Sequence, residues 1–165
     1  MRKFVPLFIL LLTSYYVYNR MHEIKTFPVR QEATVVTHEE VIEEIAGSED
    51  PDWDRFISAV IWKESKGVED CIGDGGKAVG VLQIHPIMVR EANRILAMKD
   101  ASQANFYTYN DRYSREKSIE MFKVVQGYHN KRKDHRKALQ IWNHGHPASY
   151  YNDIMWKFKQ LGETI

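Results

Sequence analysis

Residues 53–86, WDRFISAVIWKESKGVEDCIGDGGKAVGVLQIHP, decide how the chain is read. Trp53, Phe56, Ile57, Val60 and Ile61 recur at i, i+3, i+4, i+7 and i+8, the spacing of one buried helix face. At about 100° per residue, Glu64 falls within roughly 40° of Trp53, Ile57 and Val60 on the same wheel. The spacing therefore predicts a helix with a carboxyl on its apolar stripe, close to an end marked by Ser65 and Gly67. Burial disfavours the charged carboxylate, and the negative end of the helix dipole acts in the same direction. Both effects raise the pKa of Glu64, as a general acid working near neutral pH requires. The plainer alternative is a helix-end glutamate that faces water or pairs with Lys63 or Lys66.

Downstream of this helix, residues 69–79 are rich in turn formers, with Gly73, Asp74, Gly75 and Gly76, and predict a small hairpin or an irregular loop. The run GDGGKA is not a phosphate loop. Cys71 stands where the first Gly of GxxxxGK belongs, and Ala78 replaces the hydroxyl that would reach a magnesium ion. Pro86 opens a second helix carrying Met88, Val89, Ala92, Ile95 and Leu96. Ser114 caps a third with Ile119, Phe122, Val125 and Tyr128, and Asp134 a fourth with Ala138, Leu139, Ile141 and Trp142. The stretch 143–147, Asn-His-Gly-His-Pro, breaks that helix, and a last one presents Tyr151, Ile154, Met155 and Phe158. No strand-period run exceeds four residues, so the expected class is mainly α, with a small loop or hairpin region.

Upstream, Asp50 and Pro51 form the start signal of the first helix. Residues 21–50 hold two basic and eight acidic residues and few large apolar ones, which suits an acidic spacer. Within it, Thr37 with Glu40 resembles a capping box, and Val41, Ile42 and Ile45 could give a short docked helix ending at Gly47. Arg2 and Lys3 precede a 15-residue apolar run, residues 4–18, with the layout of an export signal. The run is short for a spanning helix and lacks a small-x-small cleavage site, so segment 1–20 reads as an export signal or a retained anchor. The three expected parts are thus residues 1–20, 21–50 and a folded domain over 51–165.

The 165 residues carry a net charge of +1 and a single cysteine, Cys71, so an intrachain disulfide is excluded. His144 and His146 flank a glycine, but no HExxH or cysteine pair accompanies them, and a zinc site is not expected. The basic cluster Lys131, Arg132 and Lys133 lacks the surroundings of a nucleic-acid motif and reads as a solvated helix end.

Three short segments, Glu64-Ser65, residues 80–86 (GVLQIHP) and residues 141–145 (IWNHG), form a recognisable set. Over residues 53–158 the chain resembles the soluble lytic transglycosylase domain of the lysozyme-like superfamily. That family shows a Glu-Ser pair ending a helix, a Gly-Leu-Met-Gln-Ile segment some twenty residues later, and an Ala-Tyr-Asn-Ala-Gly segment near the end. The resemblance implies a lysozyme-like, goose-type helical fold and cleavage of peptidoglycan between N-acetylmuramic acid and N-acetylglucosamine. Glu64 would be the sole acid and base, closing an anhydro ring on the muramyl residue, with no cofactor and no metal. Ser65, Asp74, Gln83, Tyr107, Tyr109, Trp142 and Asn143 would line or shape the substrate cleft. The implied partner is the glycan strand, with residues 4–18 as a possible membrane anchor and an exported, periplasmic or envelope location.

The departures from the family pattern carry information. Val81 and Leu82 replace Leu and Met, which changes little. Trp142 replaces a Tyr whose hydroxyl, in the family, lies close to the acid. Gly73 or Asp74 stands where the family has a Ser. Asp74 would add a second carboxylate, which keeps a lysozyme-type hydrolase open as an alternative, as is an inactive glycan-binding module.

Overall fold

A computed structural model of the chain describes residues 37–47, 50–142 and 148–163. All of these fall in the unit Val36–Ile165. The apolar segment 4–18, most of the acidic stretch, and Asn143, His144 and His146 lie outside the described residues.

Mainly helical is what the described residues are. Six α-helices follow one another: α1 (His38–Ala46), α2 (Pro51–Ser65), α3 (Pro86–Lys99), α4 (Arg115–His129), α5 (His135–Trp142) and α6 (Ala148–Gly162). Between α2 and α3 lies an antiparallel pair, β1 (Ile72–Gly73) and β2 (Ala78–Val79), joined through a 3-10 turn at Asp74–Gly76.

Local chemistry sets the helix ends. The Asp50 carboxylate accepts from the backbone N–H groups of Asp52 and Trp53 at 3.1 and 3.2 Å, with Pro51 in the first turn. Thr37 and Glu40 form the full reciprocal capping box on α1. Ser114 and Asp134 accept from Lys117 N–H and Lys137 N–H at 3.3 and 2.6 Å. At the other end of α2, Lys66 turns into the left-handed region at φ 57° and stops the helix one residue after Ser65.

The whole predicted stripe of α2 is buried, and Ala59 joins it. Phe56, Ala59 and Val60 have no exposed surface at all. Each large apolar side chain sealed this way contributes roughly 1.5–3 kcal/mol. α2 packs along α6, while α4 is flanked by α1 and α3. Val81, Leu82 and Ile84 are fully buried among these helices, so the turn that follows β2 is anchored in the core.

The folded body begins earlier than residue 51. Helix α1 is the short docked turn expected within the acidic stretch: Val41 is 3% exposed and Ile42 and Ile45 pack on the core. Gly127 of α4 allows the approach: a Cβ there would overlap the carbonyl oxygen of Ile45. The acidity of α1 sits on its outer side, where Glu39, Glu40 and Glu43 are exposed. A short amphipathic helix with three apolar residues is enough to dock, although its composition reads as linker.

Candidate active site

The end of α2, the β1–β2 hairpin, the start of α3 and the end of α5 enclose a cleft of about 640 Å³. Its lining includes Glu64, Asp74, Gln83, His85, Ile87 and Trp142.

Glu64 is half-buried in the last turn of α2. Burial is the largest influence on its carboxyl and raises the pKa above the ordinary value of 4.5. Two weaker effects oppose it. The Tyr150 hydroxyl donates a hydrogen bond to Oε1, and the charge of Lys63 lies nearby. The Lys63 ammonium is itself bound to Asp153 at 2.6 Å and lies 5.9 Å over the Tyr150 ring.

Tyr150 is a residue the sequence did not reveal. It sits in the first turn of α6, eight positions after Trp142, and is 6% exposed. Trp142 brings no hydroxyl to the cleft, but a phenol reaches the acid all the same, from another helix. The only sequence signal is an aromatic on the buried face of the last helix, next to Tyr151, and it does not point to Glu64.

The segment 80–84 is built as a tight turn. Val79 and Ile84 bridge as an antiparallel pair, with Ile84 N–H donating to the Val79 carbonyl at 2.9 Å. Gly80, at φ 79°, must be glycine on two grounds: its conformation, and the Arg112 carbonyl oxygen that a Cβ would strike. Gln83 adopts φ 49°, and its amide donates to the carbonyls of Cys71 and Gly80 at 3.1 and 2.9 Å. Gly73 leaves room for the Gln83 amide oxygen, which a side chain there would meet. Asp74 also has positive φ, at 46°. Two non-glycine residues in the left-handed region therefore line one cleft, a concentration typical of functional sites.

His85 and Asp74 lie opposite each other, Nε2 to Oδ2 at 3.6 Å, with 42% and 58% of their side chains exposed. That distance is too long for a hydrogen bond, and the contact is an ion pair only when His85 is protonated. His85 was not singled out in the sequence, although it sits inside the segment 80–86.

The remaining expected site residues divide. Trp142 lines the cleft and packs against Phe122, ring centroids 4.7 Å apart. Ser65 does not line it. Its hydroxyl donates to the Val81 carbonyl at 2.8 Å and accepts from Gly67 N–H at 3.0 Å, tying the end of α2 to the turn that carries Gln83. Tyr107 is no subsite wall: it is 3% exposed in the core and its hydroxyl donates to Glu120 at 3.3 Å. Burial and the Glu120 charge push its phenol well above the usual range. Tyr109 is exposed but lies outside the cleft lining, held by Arg90 at 3.3 Å. Asn143 lies outside the described residues.

Arg112 is a second residue to which no local sequence pattern points. It is 9% exposed, and its guanidinium donates to the carbonyls of Tyr109, Lys77 and Ile84 at 2.7, 2.9 and 3.0 Å. The Ser118 hydroxyl of α4 donates to the Arg112 carbonyl at 2.8 Å. The hairpin wall of the cleft is thereby fastened to α4.

Among the described residues, no three His, Cys, Asp or Glu side chains converge as a metal site would need, and no helix is long and apolar enough to cross a membrane. Comparison of the chain with protein-family models, with curated proteins and with solved structures finds no match.

Proposed function

We propose that this chain is a lytic transglycosylase of the lysozyme-like superfamily, cleaving peptidoglycan between N-acetylmuramic acid and N-acetylglucosamine. The observation that carries the proposal is Glu64, a half-buried carboxyl of raised pKa at a helix end, opening on a cleft of about 640 Å³. Protonated Glu64 donates to the glycosidic oxygen as the bond from the muramyl C1 to that oxygen breaks. The carboxylate so formed then takes the proton of the muramyl 6-hydroxyl while that oxygen closes on C1. The anhydro ring forms, Glu64 is protonated again, and no water is consumed. A second carboxylate is not required, in contrast to the paired acids of most glycosidases.

The Tyr150 hydroxyl occupies Oε1 of Glu64, which leaves Oε2 to carry the mobile proton, and its donation stabilises the carboxylate between the two steps. Trp142, Ile87 and Met88 give the cleft an apolar flank suited to the C–H faces of sugar rings. The reading requires no cofactor. It locates the chain outside the cytoplasmic membrane, where the polymer lies, with residues 4–18 as export signal or anchor.

One observation favours a second reading. Asp74 lines the same cleft as Glu64, and a carboxylate there can activate water or stabilise an oxocarbenium ion, giving a hydrolase. Mass analysis of muropeptides released from purified sacculi separates the two: anhydro ends for the transglycosylase, reducing ends for the hydrolase. Glu64→Gln should lower release by roughly 10²–10⁴-fold, the usual worth of a general acid. Sacculi that bind wild-type protein yet release nothing would overturn both readings in favour of a binding module.

A further inference from the structure

Outside the cleft, α2 and α6 carry a second aromatic cluster. Trp62 and Trp156 meet with ring centroids 5.8 Å apart, and Trp156 is 53% exposed. The Lys66 ammonium lies 3.4 Å over the Trp62 ring and that of Lys157 lies 5.6 Å over it. Neither ammonium forms an ion pair with a described residue, whereas neighbouring Lys63 is bound to Asp153. None of these four residues lines the cleft.

A half-exposed Trp packed on another Trp presents a flat apolar face able to stack on a ring. Its chemistry is mixed: a flat apolar face beside two ammonium groups that lie over an indole and pair with no described carboxylate. A sugar ring bearing acidic substituents answers both, its C–H face on the indole and its carboxylates on the ammonium groups. The cluster shares α2 and α6 with Glu64 and Tyr150, on the side of α2 about 160° around the wheel from Glu64. Trp62, Lys66 and Glu64 occupy the final turns of α2 and its cap, and Trp156 follows Tyr150 along α6 by about 9 Å of helix rise. A lipid surface fits less well, because interfacial anchoring needs a broad apolar helix face rather than one indole pair.

We propose that Trp62, Trp156, Lys66 and Lys157 form an accessory subsite for an acid-bearing stretch of the glycan strand, beyond the bond being cut. Trp156 is the platform, and Lys66 and Lys157 hold stem-peptide carboxylates. The proposal rests on the glycan-cleaving reading above, and the test keeps the two apart.

The full chain, Trp156→Ala and Lys157→Glu are compared at matched thermal stability on purified sacculi and on a soluble tetrasaccharide fragment. The expected result is a half-saturating sacculus concentration raised about three- to tenfold for Trp156→Ala, the worth of one aromatic stack. The maximal rate, and turnover of the tetrasaccharide, stay at the wild-type level. Lys157→Glu, whose side chain does not enter the core, gives a smaller rise that disappears at high salt. No change on sacculi overturns the subsite, as does an equal loss on both substrates. A parallel arm measures retention of each protein on sacculi in the Glu64→Gln background, where turnover plays no part. If wild-type protein cleaves nothing, the glycan-cleaving reading fails, yet loss of retention in Trp156→Ala still upholds the surface. If Trp156→Ala is retained normally on sacculi but loses binding to phosphatidylglycerol–phosphatidylcholine vesicles, the surface belongs to lipid and the proposal is overturned.

Discussion

Glu64 and Glu91, on consecutive helices, are treated in opposite ways. Glu91 receives both guanidinium arms of Arg94 at 2.7 Å each and the His129 ring at 2.7 Å. The Arg94 bond, the largest influence, helps hold its carboxyl down at about 2. Glu64 has no cation bonded to it; burial dominates and keeps a proton on it more readily than in water. The surface carboxylate is saturated with donors and works as scaffold. The cleft carboxyl is left short of them and remains a usable acid. The sign of linkage differs accordingly. Glu91, with a lowered pKa, contributes stability above its ordinary 4.5, and loses it as pH falls toward about 2. Glu64, with a raised pKa, favours the fold below 4.5 and costs stability as pH rises through its folded value.

The sharpest way to break the contrast is Glu64→Gln. Turnover on sacculi should fall by about 10³-fold. Thermal denaturation at pH 8 should show a Tm about 2–4 °C higher than wild type, with the gain shrinking toward pH 4. A lower Tm at pH 8 would mean that the carboxylate is stabilised where it sits. Next comes Gly80→Ala, which forces a Cβ onto the Arg112 carbonyl in a left-handed backbone. It should cost about 3 kcal/mol in urea denaturation and disturb the Gln83 wall. The His129 ring signals in NMR, which report the Glu91 network, should stay unchanged.

Tyr150→Phe removes the hydroxyl that stabilises the Glu64 carboxylate. The alkaline limb of the pH–rate profile should move to higher pH, and the maximal rate should fall about tenfold, the value of one hydrogen bond to a charged group. An unmoved limb would show that the phenol does not govern the acid. The smallest effect belongs to Glu91→Gln. Turnover should stay within about twofold, and stability at pH 7 should drop by about 1 kcal/mol, because the network is largely solvent-screened. That loss should shrink below pH 4.5 and vanish only as pH falls through about 2.

What could be read from the chain in advance depends on distance along it. The α2 stripe, the caps at Thr37, Asp50, Ser114 and Asp134, and the turn around Gly73–Gly76 are written within a few residues of one another. So is the position of Glu64 at the end of its helix. Tyr150 meets Glu64 across 86 positions, and Arg112 meets Lys77 across 35. No local pattern encodes either contact. An aromatic beside a turn, such as Tyr107, reads equally as platform or core; the Asn93 side-chain amide, donating to the Tyr107 carbonyl and accepting from its N–H at 2.8 Å each, draws it inward. Ser65 was named with the acid it follows, but its hydroxyl braces the backbone. Helix α1 is legible as one short docked turn inside an acidic stretch, from its capping box and three apolar residues among four glutamates, but the room that Gly127 makes for it is not.

Arg112 has a mechanical consequence. One planar cation clamps three carbonyls, two of them flanking the Gly80 turn, and its own carbonyl is held by Ser118 of α4. To swing away from Glu64 the hairpin must therefore break these bonds or carry α4 with it. If the proposed function holds, bending the glycan strand into the cleft falls to the strand. A lysine in place of Arg112 would keep the charge but lose the fork, and would loosen the jaw without touching a tooth.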